Sequence, residues 1–262
     1  MSTAKLVENR RLHHDYFSAV FEVSDAARRA RPGQFIHLRI DCRRDRILRR
    51  PFSICDTDPA AGTLTIVYKV VGAGTEALSR LAPGSVCDLL APLGTAFPPP
   101  PPADAVPVAV AGGYGAAATF MLTRGAKPGM LLLGARNRRD LLLTERYAAA
   151  GWQVGVSTDD GSEGVKGNVL TLLDEPARRF PGKRFFFYGC GPKPMLFALG
   201  RELRRRGEEG ALSVDQAMCC GVGACFACVV KVNDPASAAG WRYARSCAEG
   251  PVFPLDQIYL GD

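Results

Sequence analysis

"FPPPPPADAVPVAVAGGYGAAATF" (residues 97–120) divides the chain into two unlike halves. The prolines at 98–102 lack N–H donors and predict a stiff, extended connector rather than a strand. The run "VPVAVA" that follows is apolar without alternation, as a strand buried on both faces requires. "GGYG" then reads as a tight turn, and the small residues after it as a helix. The nearly uncharged span 106–122 is shorter than the ~20 residues of a membrane helix. Its glycines also break it, so strand, turn and helix is the better reading.

Upstream of the prolines the pattern has a period of two. "YFSAVFEV", "GQFIHLRI", "RPFSIC", "TLTIVYKVV" and "SVCDLL" are short strands set apart by "RPGQ", "DPAAGT" and "APGS". Their even spacing predicts an antiparallel barrel, with one helical insert, "GTEALSRL", between the last two. Downstream, "GMLLLGAR", "WQVGVSTD" and "RFFFYG" alternate with helices expected at 140–149, 167–179 and 194–207. This alternation implies a parallel sheet covered by helices. It stops at about Ala211, where a cysteine-rich tail begins.

At 262 residues the chain is long enough for two ordinary domains, or for one large domain and a small module. The formal net charge of +7 sits mostly on arginine runs such as "RRDRILRR" and "RELRRRGEEG". No nucleic-acid motif accompanies them, and no aromatics are interleaved, so they read as solvated faces and helix ends. "MSTAKLVENRRLHHD" holds no apolar core of signal-peptide length. A soluble, cytoplasmic protein is therefore expected. There are three histidines, His13, His14 and His37, and no Ser/His or Cys/His nucleophile pattern.

"CCGVGACFAC" (219–228) places four of nine cysteines in ten residues. An odd total in a reducing compartment argues against a disulfide framework. Cys220, Cys225 and Cys228 have C-x4-C-x2-C spacing, and Cys247 lies downstream; this is a plant-type 2Fe–2S arrangement. Thiolates suit such clusters, and Gly221, Gly223, Ala224 and Ala227 keep the loop free of bulk. Zinc usually takes two short knuckles, whereas the fourth cysteine here stands alone. Cys219 is the surplus thiol, and Cys42, Cys55, Cys87 and Cys190 read as ordinary buried thiols.

Two motifs in the barrel suit a phosphate-bearing cofactor. "RRPFSI" (49–54) offers a cation and a hydroxyl. "VGAGTEAL" (71–78) places Gly72, Gly74 and Thr75 at a helix start. In the β/α region, "AVAGGYG", "STDDGS" and "FYGCGPKPML" are three polar or glycine-rich loops at strand ends. Ligands of open parallel sheets bind there, so a nicotinamide nucleotide site is expected.

Together these parts resemble the ferredoxin–NADP reductase superfamily. "MCCGVGACFAC" followed by "CAEGPVF" is similar to its PyrK-like branch, the electron-transfer subunits of type B dihydroorotate dehydrogenase, over nearly the whole chain. The resemblance implies a multi-domain all-β plus α/β fold. Its parts are an antiparallel Greek-key FAD-binding barrel (1–97), a parallel β/α NAD-binding domain (103–212) and a small C-terminal 2Fe–2S module (213–262). It implies FAD contacts at Arg50, Pro51, Phe52, Ser53, Tyr68, Gly72, Gly74 and Thr75. NAD contacts fall at Gly112, Gly113, Gly115, Gly189, Gly191 and Pro192, and the cluster ligands are Cys220, Cys225, Cys228 and Cys247. It also implies an FMN-containing, PyrD-like dehydrogenase partner in a heterotetramer of two plus two. Electrons would pass from that partner's substrate through FMN, 2Fe–2S and FAD to NAD, with substrate oxidation left to the partner and no catalytic residue assigned here. The usual "GGGIG" turn is "AGGYG" here, with Ala111 and Tyr114 as the departures. They keep open a regulatory iron–sulfur flavoprotein without nucleotide turnover. A relay serving another dehydrogenase or a bifurcating complex is a further alternative, although related bifurcating reductases carry Asp where this chain has Cys220.

Overall fold

The computed structural model describes residues 2–40, 48–99, 104–125 and 127–261. Cys42, most of the arginine run at 43–50 and the middle of the proline connector lie outside them. The first part is a closed barrel of β1 (Ser2–His13), β2 (Tyr16–Glu22), β3 (Phe35–Arg39), β4 (Arg50–Asp58), β5 (Thr63–Lys69) and β6 (Val86–Leu93). The strands follow one another in the order β1-β2-β5-β4-β3-β6, a Greek key with every neighbouring pair antiparallel. Inward positions carry Leu6, Phe21, Ile36, Ile54, Ile66 and Leu89, all fully buried. Strand β1 was not among the expected strands. Only Ala4 and Leu6 point inward, the exposed Val7 breaks the alternation, and the pairing with β2 shifts register twice. Helix α1 (Ser24–Arg29), also unforeseen, follows β2, and α2 (Ala73–Ser79) is the expected insert before β6.

The second part begins with β7 (Val106–Gly112) and α3 (Gly115–Thr119). It continues through β8 (Met130–Ala135), α4 (Thr144–Ala149), β9 (Gln153–Thr158), β10 (Val165–Lys166) and α5 (Glu175–Arg179). β11 (Phe185–Cys190), α6 (Lys193–Arg206) and β12 (Glu209–Ser213) complete the alternation. β7 is buried on both faces, as its unbroken apolar run predicts. Val108 and Val110 pack with Leu196 and Leu199 on one side; Ala109 and Ala111 pack with Leu131 and Tyr147 on the other.

Two expected helices are shorter than their patterns. The one at 140–149 starts only at Thr144, because Leu143 adopts a left-handed backbone (φ 63°). The one at 167–179 divides into a 3-10 turn and α5. Pro176 lacks the N–H that would carry an earlier turn through it. α6 stops at Gly207 (φ 70°), as read.

The alternation runs to Ser213, slightly past Ala211, since β12 pairs parallel with β11. Beyond it, β13 (Val229–Asn233) and β14 (Trp241–Arg245) form a hairpin. β15 (Val252–Pro254) returns to pair antiparallel with β12 at the edge of the large sheet. The tail is thereby held against the β/α part. Thr95 of the barrel donates to the Val252 carbonyl at 2.9 Å, and Asp56 takes ion pairs from Arg124 and Arg146 across the same junction. No helix among the described residues is long and apolar enough to cross a membrane.

Candidate functional site

A cavity of about 310 Å³ opens between the barrel, α3 and the segment leading to the cysteines. Arg50, Pro51, Phe52 and Ser53 of β4, Tyr68 of β5 and Thr75 of α2 line it. Six of the eight residues expected to hold a flavin thus converge. Tyr68 is fixed from both sides: its ring stacks on Phe17 at 5.6 Å, and its hydroxyl donates to Asn9 at 3.0 Å.

The other two, Gly72 and Gly74, act from behind the wall. Thr75 Oγ1 accepts from the N–H groups of Val71 and Gly72 at 2.9 and 3.3 Å, so it caps α2 from inside the first turn rather than at the cap position. A Cβ on Gly74 would lie 2.6 Å from Arg50 Nε. The bare glycine lets the guanidinium rest against the start of α2, presenting a cation beside the helix's free N–H groups. That donor set suits a pyrophosphate.

The cavity also takes in Cys190, which the sequence reading set aside as an ordinary buried thiol, together with Ser213, Asp215 and Met218. Burial pushes the Cys190 thiol up to about 12, so it enters the cavity wall as a neutral group. Its place at the end of β11, before Gly191, was the available signal.

A second cavity of about 450 Å³ lies beyond the carboxyl ends of β7 and β8. Gly112, Gly113 and Pro192 line it. Gly113 (φ 54°) has open space where a Cβ would stand, leaving its backbone free to approach a ligand. Gly115, Gly189 and Gly191 do not line it. A Cβ on Gly115 would meet the Cys190 carbonyl at 2.1 Å, and one on Gly189 would meet Leu212 at 2.4 Å. These two glycines serve close packing of α3 and β12 on β11. Gly191 (φ 159°) lets the β11 loop pass against Gly112.

Tyr16, Lys69 and Asp140 close one side of this second cavity. Asp140 Oδ1 accepts from Lys69 Nζ and from the Tyr16 hydroxyl, both at 2.9 Å. Burial raises the Asp140 carboxyl, but these two donors outweigh it and hold it below its usual 3.8. Hydrogen bonding to Asp140 raises the Lys69 ammonium above 10.5. The bridge therefore contributes stability above pH 3.8, lost as pH falls through the depressed carboxyl value. Its alkaline limit is the raised value of Lys69. Asp140→Asn is expected to cost about 1 kcal/mol at pH 7, a fall in Tm of about 2–4 °C. The gap between variant and parent should close as the pH is taken below 3.8 in melting curves; a pH-independent gap would contradict the ionic assignment.

The four expected ligands stand as two pairs, with Cys219 beside Cys225. Cys220 and Cys225 interact side chain to side chain. Cys228 and Cys247 share a small buried cluster with Phe35, and the Cys247 N–H points to Cys228 Sγ at 3.4 Å. Among the described residues no three such side chains converge on a single ion. Two pairs suit a two-iron rhomb.

Backbone donors surround the sulfurs. Val222 and Ala224 N–H point to Cys220 Sγ at 3.5 and 3.3 Å, and Gly223 N–H to Cys247 Sγ at 3.1 Å. Burial raises the Cys220 thiol, but these donors prevail and bring it down to about 6. Burial and the adjoining Cys228 push Cys247 up to about 12. Gly221 and Gly223 both have positive φ, and a Cβ on Gly221 would strike the His37 ring at 2.3 Å. His37 was not foreseen as part of this site. It is fully buried, and burial lowers its pKa; its ring faces the backbone of Cys220 and Arg49 short of full hydrogen-bond geometry.

Residues 3–97 match the oxidoreductase FAD-binding domain family, and residues 215–259 match the iron–sulfur cluster binding domain of dihydroorotate dehydrogenase B. The chain is 38% identical over 235 residues to the dihydroorotate dehydrogenase B (NAD(+)) electron transfer subunit of Geobacillus kaustophilus, covering 87% of each chain. This chain belongs to the family of dihydroorotate dehydrogenase B electron transfer subunits. The corresponding subunit of Desulforamulus reducens is 38% identical over 242 residues, 91% of this chain and 90% of that one. Among solved structures, NADH-dependent reduced ferredoxin–NADP oxidoreductase superposes with a TM-score of 0.81 at 25% identity, covering 99% of this chain and 91% of the other. As a member of the family the chain is an FAD- and iron–sulfur-binding oxidoreductase subunit.

Proposed function

We propose that the chain relays electrons between NAD and an FMN-containing dihydroorotate dehydrogenase subunit, with the two chains joined as a heterotetramer of two plus two in the cytoplasm. One observation carries this reading. The flavin-type cavity borders both other sites: it shares Lys69, Val71 and Tyr114 with the second cavity, and its wall continues through Asp215 and Met218 toward Cys220. Nicotinamide exchanges electron pairs and an iron–sulfur cluster exchanges single electrons, and a bound flavin converts between the two. The order of the three sites is the order such a relay needs.

In this reading residues 1–97 hold FAD, 103–212 hold NAD and 213–262 hold the cluster. Arg50 and the capped start of α2 neutralise the pyrophosphate, while Phe52, Ser53 and Tyr68 orient the flavin ring system. Gly112, Gly113 and Pro192 give the nucleotide backbone contact; Gly115, Gly189 and Gly191 keep that loop in place. Cys220, Cys225, Cys228 and Cys247 hold the cluster, and the N–H groups of Val222, Gly223 and Ala224 stabilise negative charge on sulfur. Val222 and Phe226 are 55% and 61% exposed on this loop. An apolar rim there gives a partner subunit a place to dock.

The test is anaerobic purification with iron, sulfide and flavin assayed on one sample, followed by NADH. About two irons, two sulfides and one FAD per chain are expected, with flavin absorbance bleaching on NADH addition. Cofactors in this ratio without bleaching would favour the regulatory alternative, and zinc without visible colour would end the relay reading.

A further inference from the structure

The loop that carries Cys220, Cys225 and Cys228 is gripped by a cation from the neighbouring strand. Arg245 ends β14, just before Cys247, and its backbone is fixed by pairing with Val229. Arg245 Nη1 donates to the Gly223 carbonyl at 3.1 Å. A Cβ on Gly223 would lie 3.6 Å from the same Nη1, so the guanidinium packs directly over this part of the loop. The guanidinium carbon also stands 5.1 Å from the centre of the Phe226 ring. Phe226 has a left-handed backbone (φ 57°), which a bulky residue rarely adopts.

The arginine is itself anchored. Its Nε donates to Glu249 Oε1 at 2.9 Å, and the same oxygen accepts from the Arg245 backbone N–H at 3.0 Å. Arg242 Nη1 donates to the other carboxylate oxygen, Oε2, at 2.9 Å. The peptide that Arg245 grips faces two ways, because the C=O and N–H of a trans peptide point in opposite directions. The unit joining Gly223 to Ala224 meets Arg245 at its oxygen, and its Ala224 N–H points to Cys220 Sγ at 3.3 Å. A donor at the oxygen polarises the peptide and strengthens its N–H as a donor. The charge of Arg245 is thereby felt at the Cys220 sulfur through a single peptide unit.

We propose that Arg245 is a positioning residue that raises the reduction potential of the cluster, acting on Cys220 Sγ through the Gly223–Ala224 peptide. The inference rests on reading the four cysteines as the cluster's ligands. One-electron reduction adds one negative charge, and net charge and hydrogen bonds to the sulfurs set the potential at which that happens. Arg245 contributes to both, as a cation and as the group that aims and polarises a sulfur-directed N–H. Glu249 brings an opposing charge, which Arg242 offsets. The Arg245 side chain is 34% exposed, and solvent ions screen a partly buried charge less than a free surface one. Arg245 does not line the flavin-type cavity, so its influence belongs to the cluster.

The experiment is an anaerobic redox titration of the full chain carrying FAD and cluster, with the reduced cluster followed by electron paramagnetic resonance. Arg245→Met should keep its iron, sulfide and FAD, yet its cluster should be about tenfold harder to reduce, the size of one hydrogen bond to a charged group. For a one-electron couple that is a downward shift of about 59 mV. A charge-assisted bond is roughly twice as strong as a neutral one, so Arg245→Gln, which keeps a donor without the charge, should shift by about threefold. Arg245→Lys, which keeps both, should stay within about twofold of the parent. The FAD potential should match the parent's in all three. Parent-like cluster potentials in Arg245→Met and Arg245→Gln, or equal shifts of cluster and FAD, would overturn the proposal. Should Arg245→Met shed its cluster, Arg245→Gln decides: a parent-like potential there overturns it. Iron lost from both would make Arg245 a loop strut and also overturn it. A parent without iron or colour would end the cluster reading, and the inference with it.

Discussion

Cys247→Ser should purify without 2Fe–2S colour and bind iron at least about 10–100-fold more weakly than the parent. Cys247 and Cys228 are 3% and 2% exposed and pack with Phe35, so the site cannot recruit a substitute ligand from solvent without opening that small core. A serine oxygen is a hard donor, poorly matched to an iron–sulfur cluster. Altering only a supporting group around a metal costs 10–100-fold in affinity, and removing a ligand costs no less. Cys219→Ser provides the contrast. Cys219 also neighbours Cys225, but the C-x4-C spacing leaves it surplus, and its loss should leave iron and sulfide per chain unchanged. Iron, sulfide and visible spectra on both variants decide the matter. Parent-like iron in Cys247→Ser, or colour lost in Cys219→Ser, would reassign the ligand set.

Arg50→Ala should retain the fold and lose flavin, with FAD binding weakened about 10–100-fold. A hydrogen bond to a charged group contributes about 1.5–3 kcal/mol, which spans that range. The guanidinium is the one cation among the β4 residues lining the flavin-type cavity, and it rests where Gly74 leaves space for it. Gly74→Val should act in the same direction without touching the arginine, since its first added carbon would stand 2.6 Å from Nε. FAD retained during gel filtration and its dissociation constant measure both. Parent-like binding in Arg50→Ala would place the pyrophosphate elsewhere in the cavity. Loss in Arg50→Ala with no effect in Gly74→Val would show that the guanidinium reaches its ligand from a different rotamer.

Much of this architecture was legible from short-range pattern. The unbroken run in β7, the alternation in β2 through β6 and the glycine after α6 each follow from local burial or backbone rules. Where the pattern failed, a tertiary cause is visible. Strand β1 looked polar because it buries only Ala4 and Leu6, carries Glu8, Arg10 and Arg11 beyond them, and slips register against β2. The helix expected at 167–179 was interrupted by Asn168 capping an early turn and by Pro176. β15 is three residues long; so short a segment carries no periodicity and becomes a strand only because β12 offers an open edge.

The candidate site divides in the same way. Cysteine spacing, the RPFS motif and the glycine turns are sequence properties, because each loop must supply its thiolates, its cation or its free backbone within a few residues. The sequence alone therefore supplied the candidate ligands, the flavin motif and the order of the parts. It could not distinguish glycines that face a ligand from those that only permit packing. Gly113 and Gly115 are two residues apart, yet one opens on the cavity and the other abuts Cys190. Nor could it bring Cys190, Ser213 and Asp215 to a cavity that β4 and β5 also line, set His37 under Gly221, or place Tyr114 between two cavities. Those neighbours are remote in the chain, and only closure of the barrel against the parallel sheet brings them together.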